Sequence, residues 1–208
     1  MPPRRFLLCA LPAALVAAPA LAAPARTPVV TVLGDSITSG WGLTPATALP
    51  AQLSAELARL GVHAVVRGSG VPGDTTAGGV ARVGSLPADT ALCVVMLGAN
   101  DFLLSVDPRE TEANLDAIVR RLKARGVGVV LAGGQSPRNA RGRYDAAFDR
   151  VFPAVARRHG VPLAPDLLAG IAGRPALLQQ DRLHPNARGI RVIASRLAPV
   201  VAQALRRR

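Results

Sequence analysis

The chain alternates between two hydrophobic periods. Five consecutive apolar or β-branched residues, Val29 to Leu33, form a run of strand length, suited to burial on both faces. From Pro45 to Leu60 the apolar positions fall at Leu49, Leu53, Leu57 and Leu60, a helical spacing that Gly61 closes. Residues Val62–Val66 predict a second strand, Thr75–Leu86 a second helix, and Ala91–Leu97 a continuously apolar strand. Asp107 and Pro108 then open a helix with an N-cap, a proline at the first helical position and Glu110 in the first turn. It runs to Arg125 and stops at Gly126. Val127–Ala132 reads as a strand, Tyr144–His159 as a helix, Val161–Ala164 as a short strand, and Asn186 to Leu205 as a closing helix. Strands that are apolar throughout need cover on both sides. The expected fold is therefore one α/β domain, a three-layer α/β/α sandwich around a five-stranded parallel sheet.

The residues ahead of the first strand follow a different pattern. Arg4 and Arg5 precede an almost unbroken apolar run from Phe6 to Ala18, and Ala20-Leu21-Ala22 offers a small-residue cleavage pattern. This predicts a secretory signal peptide over residues 1–22, with 23–208 as the domain. The expected product is periplasmic or secreted and monomeric, without an integral membrane segment. Cleavage would leave Cys93 as the one cysteine, so the fold must hold by packing and not by an internal disulfide. Its setting, "ALCVVML", suits a buried and inert thiol.

Charge changes this picture little. Lys and Arg number 25 against 13 Asp and Glu, a formal net charge of +12. Yet the cations are dispersed, Lys123 is the one lysine, and aromatics make up 3% of the chain. So scattered a charge with so little stacking material argues against a nucleic-acid partner. One mature cysteine and three separated histidines form no ligand set, so neither metal nor cofactor is expected.

Open parallel sheets keep their chemistry at the carboxyl ends of the strands. There the chain places Gly34-Asp35-Ser36, then "RGSGVPGDTT" (67–76), "GANDF" (98–102) and, before the last helix, "DRLHPN" (181–186). Gly-Asp-Ser is ordinary turn chemistry, and it is also where a nucleophile would sit. His159 closes a helix and His63 opens a strand, so neither needs a further role. His184 has Asp181 three residues before it and Pro185 after it, either a plain surface turn or a base with its orienting acid. Ser36, Asp181 and His184 would supply a nucleophile, an acid and a base. The backbone N–H groups of Ser36 and Gly73 and the Asn100 side chain would supply oxyanion donors.

These blocks, Gly34-Asp35-Ser36, Gly73, Gly98-x-Asn100-Asp101 and Asp181-x-x-His184-Pro185, resemble the four sequence blocks of the SGNH/GDSL hydrolases. The likeness spans nearly the whole mature chain. It is nearest to the thioesterase I, lysophospholipase and arylesterase subgroup, through "GDTT", "GANDF", "PRNARGRYDAAF" and "DRLHPN". That subgroup often has an asparagine where this chain has Gly68. The resemblance implies a flavodoxin-like topology and cofactor-free hydrolysis of esters and thioesters. It further implies Ser36 as nucleophile, His184 as base, Asp181 as orienting acid, and Ser36, Gly73 and Asn100 around the oxyanion. Asp35 and Asp101 would fix loops.

Trp41 and the segment Phe102, Leu103 and Leu104 are the expected substrate contacts, an apolar lip suited to acyl or aryl groups on a small-molecule or lipid ester. Two alternatives keep the scaffold: a carbohydrate O-acetyl esterase, and a non-catalytic lipid- or glycan-binding protein. A third treats Gly68-x-Gly70-x-x-Gly73 as a dinucleotide fingerprint, though it follows the second strand and contains Pro72.

Overall fold

A computed structural model describes residues 27–133 and 142–207. The expected leader, and the part of "PRNARGRYDAAF" up to residue 141, lie outside the described residues. Five parallel strands form one sheet: β1 (Val29–Gly34), β2 (Val65–Gly70), β3 (Thr90–Met96), β4 (Gly128–Gly133) and β5 (Leu163–Pro165). Their order is β2-β1-β3-β4-β5, so the chain reverses its direction of winding between β1 and β3. The sheet opens a crevice beyond those two carboxyl ends, where ligands of doubly wound folds bind.

Alternation along the strands divides the core in two. Val30 and Val32 of β1 and Leu92, Val94 and Met96 of β3 face one side. There they meet Leu49, Leu53 and Leu57 of α2 (Leu49–Arg59) and Ile190, Ile193 and Leu197 of α7 (Ala187–Arg206). Leu33, Cys93, Val95 and Leu131 face the other side. They pack against Leu115, Ile118 and Leu122 of α5 (Pro108–Ala124) and Phe148, Phe152 and Val155 of α6 (Arg143–His159). A buried leucine or phenylalanine stabilises by about 1.5–3 kcal/mol. Both faces are thus filled by residues whose spacing was visible along the chain, and the three-layer α/β/α fold is as expected. Among the described residues no helix is long and apolar enough to cross a membrane.

The elements depart from expectation where short-range chemistry overrides period. The helix expected from Pro45 begins at Leu49, because Thr47 and Ala48 donate their N–H groups back to the Thr44 carbonyl and make a turn first. The second strand begins at Val65, not Val62, and continues through Arg67-Gly68-Ser69-Gly70. It is an edge strand, held by register with β1 from Val29↔Val65 to Gly34↔Gly70 instead of by apolar side chains. Two of the three fingerprint glycines therefore lie inside a strand, which removes the dinucleotide reading.

Two short helices were not foreseen. They are α1 (Ser36–Ser39) after β1 and α4 (Ala99–Leu103) after β3, each too brief to show a helical period. The first is possible because three positions beneath it lack a side chain. A Cβ at Gly70 would stand 2.3 Å from the Ser39 nitrogen, and one at Gly34 2.0 Å from Thr38 Oγ1 and 2.9 Å from the Met96 carbonyl oxygen. A Cβ at Gly68 would stand 3.1 Å from the Thr38 carbonyl oxygen. We expect Gly34→Ala to destabilise the protein by roughly 1–3 kcal/mol through overpacking, lowering Tm by several degrees in a thermal melt. An unchanged Tm would show that α1 has room to move.

Candidate active site

The nucleophile candidate stands where β1 ends. Asp35 caps α1 by accepting the Ile37 N–H at 3.0 Å, and Gly40 ends the helix with φ of 76°. Ser36 is thereby the first helical residue, and its own N–H makes no hydrogen bond among the described residues. Its Oγ lies 2.9 Å from His184 Nε2, a contact between residues 148 positions apart.

His184 belongs to an irregular stretch tied down locally. Leu178 and Pro185 form an isolated antiparallel bridge, and the Gln179 N–H donates to the His184 carbonyl at 2.8 Å. Asp181 Oδ1 accepts the N–H groups of Leu183 and His184 at 2.9 and 3.0 Å, while its Oδ2 meets His184 Nδ1 at 2.7 Å. The hydrogen bond from the imidazole, then those two backbone N–H groups, hold the Asp181 carboxyl down at about 2. A carboxylate has no proton to give, so Nδ1 carries the hydrogen. In the neutral ring Nε2 is then a bare acceptor for the Ser36 hydroxyl.

Two further segments converge on this point. Val71-Pro72-Gly73-Asp74 closes a turn by the Asp74 N–H donating to the Val71 carbonyl at 3.1 Å, with Gly73 at φ 78°. Proline second and a left-handed glycine third are the chemistry of a type II turn. The Gly73 N–H makes no hydrogen bond among the described residues, and the space beside its Cα is open. Asn100, on α4, donates through Nδ2 to the Asp74 carbonyl at 2.8 Å and reaches Asp35 Oδ2 at 3.5 Å. The second contact is long, so that proton remains available to a better acceptor.

Asp101 fixes this arrangement from below. Almost wholly buried, it accepts the Thr76 N–H at 2.9 Å and hydrogen-bonds the Thr76 and Thr111 hydroxyls, joining α4, the start of α3 (Thr76–Arg82) and α5. Asp35 is 3% exposed and borders an apolar cavity of about 40 Å³ with Ile37, Met96, Leu97 and Leu168. Burial pushes its carboxyl up to about 6 against the hydrogen bond from Ile37.

Of the expected substrate contacts, Trp41 is 54% exposed with its ring 6.2 Å from that of His184. Leu103 and Leu104 are exposed as well. Phe102 is half-buried: its ring packs at 5.6 Å from Tyr144 and 5.2 Å from Phe148, against the aromatic cluster under α6.

Gln179 was not foreseen. Its Nε2 donates to the carbonyls of Trp41 and Pro185, at 2.8 and 3.1 Å, and so ties the tryptophan loop to the histidine turn. Nothing in a glutamine outside regular structure signals such a bridge.

Asp35 generates a test with a definite sign. Its folded pKa is raised above the ordinary 3.8, so its charge opposes folding. That cost is absent below about pH 4, grows between about 4 and 6, and is complete at neutrality, at roughly 2–3 kcal/mol. Asp181 runs the other way: its depressed pKa supports the fold above about 4, and that support is lost as pH falls toward 2. We expect Asp35→Asn to gain stability over wild type at pH 7 but not at pH 4, by denaturant titration at both. An equal difference at the two pH values would mean that Asp35 is not buried as a charge.

Comparison with known proteins identifies the family. The family model described as "GDSL-like Lipase/Acylhydrolase family" matches residues 32–192. "Esterase TesA" of Pseudomonas aeruginosa is 38% identical over 156 residues, covering 74% of this chain and 78% of that protein. "Thioesterase 1/protease 1/lysophospholipase L1" of Escherichia coli is 32% identical over 157 residues, covering 74% of each. The crystal structure of TesA superposes with a TM-score of 0.79 at 34% identity, over 85% of this chain and 99% of that one. The chain belongs to the GDSL-like lipase/acylhydrolase family.

Proposed function

We propose that this carboxylic ester hydrolase cleaves acyl or aryl esters and thioesters through an acyl-enzyme formed on Ser36. The observation that carries the reading is one unbroken line of hydrogen bonds, from Ser36 Oγ to His184 Nε2 and from His184 Nδ1 to Asp181 Oδ2. On this reading Ser36 Oγ attacks the substrate carbonyl carbon as His184 Nε2 takes its proton. Asp181 holds the tautomer and stabilises the imidazolium. The negative oxygen of the tetrahedral intermediate accepts from the N–H groups of Ser36 and Gly73 and from Asn100 Nδ2. Collapse expels the alcohol or thiol, which leaves with the proton from His184. Water, deprotonated by His184, then attacks the acyl carbon and frees Ser36.

Substrate class follows from the rim. Trp41, Val71, Leu103, Leu104 and Leu183 are exposed apolar residues in the segments that follow the strands or beside His184. Such a rim favours an acyl chain or aryl ring over a sugar. The esterase and thioesterase/lysophospholipase names of the relatives support the same class. We further propose that residues 1–22 are removed on export to the periplasm or exterior, and that the enzyme works as a monomer.

Ser36→Ala is expected to abolish hydrolysis while leaving Tm close to wild type, because the change removes one small hydroxyl. A fluorophosphonate probe should label wild type at Ser36 alone, read by peptide mass spectrometry. Full turnover in the variant would end the assignment. On p-nitrophenyl esters of graded acyl length, acyl-CoA, lysophospholipid and acetylated xylan, acyl and aryl substrates should lead. Preference for the xylan would instead favour the O-acetyl esterase alternative.

Asn100→Ala separates catalysis from loop support. Loss of a donor that strengthens as charge develops should lower kcat by roughly a hundred- to a thousand-fold with KM nearly constant. If Asn100 merely holds the Asp74 carbonyl, Tm falls and kcat stays within a few-fold of wild type.

A further inference from the structure

Arg82 closes α3, where a last-turn arginine would ordinarily face solvent and complement the helix dipole. Here it turns inward, with its side chain 20% exposed. Nε donates to Asp74 Oδ2 at 2.6 Å, Nη1 to the Ser69 carbonyl and hydroxyl at 2.8 and 2.9 Å, and Nη2 to the Gly34 carbonyl at 2.6 Å. One planar group thereby joins the end of β1, the end of β2 and the turn that carries Gly73.

Each of those segments leads to an oxyanion donor. Gly34 lies two residues before Ser36, and its carbonyl also accepts the Val71 N–H at 3.2 Å. Asp74 follows Gly73 directly, and its own carbonyl receives the Asn100 amide. The Asp74 carboxylate has room to meet Arg82 because residue 78 has no side chain: a Cβ at Gly78 would stand 1.7 Å from Asp74 Oδ1. We propose that Arg82 is a positioning residue that sets the mutual geometry of the three oxyanion donors, acting through Asp74 and Gly34 without touching substrate. The inference rests on the oxyanion reading given above.

The chemistry is specific to arginine. Guanidinium presents donors on three nitrogens in a fixed plane and so spans three acceptors, whereas lysine offers a single nitrogen. Arg82→Lys keeps the charge and loses the span. With the donors displaced, kcat should fall roughly ten- to a hundred-fold while KM stays within about two-fold. The rate of fluorophosphonate labelling of Ser36 should fall in parallel. Gly78→Ala gives an independent test, since its methyl displaces the Asp74 carboxylate from Arg82 while leaving Arg82 in place. It should show the same split between kcat and KM.

Arg82→Lys with normal kcat and a lowered Tm would overturn the proposal and leave Arg82 as a cap for strand ends. Should Arg82→Lys fail to fold, normal kcat in Gly78→Ala overturns it equally. Asn100→Ala, measured alongside, identifies which reading has failed. If its kcat falls and those of the Arg82 and Gly78 variants do not, Arg82 positioning alone is wrong. If its kcat is normal, the donor set is wrong and the inference falls with it.

Discussion

Everything at the site depends on how closely α1 lies over the ends of β1 and β2. A helix axis normally stands off a sheet by the thickness of the side chains between them. Here Gly34, Gly68 and Gly70 remove that layer, and the backbone of Ser39 comes within reach of the Gly70 Cα. The chain can therefore fold back in a single turn after β1, and Ser36 is presented toward the crevice instead of being carried away along a longer connection. None of these three glycines has the left-handed backbone of Gly73, so what they supply is space and not conformational freedom.

The two acidic residues nearest the chemistry divide the electrostatic work by their surroundings. Asp35 is buried against an apolar cavity and bears the cost of a charge with few donors around it. Asp181 is more open and is surrounded by three N–H groups, so it stays ionised under all ordinary conditions. The carboxylate that faces the imidazole is the one given the donors. Asp35 caps α1 and reaches Asn100, and burial is the main cause of its raised pKa.

The layers, the sheet and the blocks that hold the candidate site were legible because they are written in local patterns. Strand hydrophobicity, helix caps at Asp107 and Gly126, and the Asp181-to-His184 spacing all lie within a few residues of one another. What was not legible is long-range or too short to be periodic. The helices α1 and α4 span four and five residues, too short for an amphipathic stripe to repeat. The course of β2 through "RGSG" is decided by its ladder to β1. How far a helix of little more than one turn points Phe102 inward depends on α6, which is distant in the chain. Arg82 and Gln179 act across 48 and 138 positions, and nothing near them in the chain announces it.

The two halves of the site are consequently held by different physics. Ser36, Gly73 and Asn100 are fixed by close packing of backbone against backbone and by buried polar contacts through Asp74, Asp101 and Thr76. Backbone shifts there propagate into the core, because the same atoms support the sheet ends and α5. His184 is held by a short bridge, Gln179 and the hydrogen bonds of its neighbour Asp181, on irregular chain anchored to the core through Leu178. His184 therefore belongs to a locally stabilised turn brought up to a rigidly held Ser36. The 2.9 Å contact between Ser36 and His184 is the seam where the two halves meet.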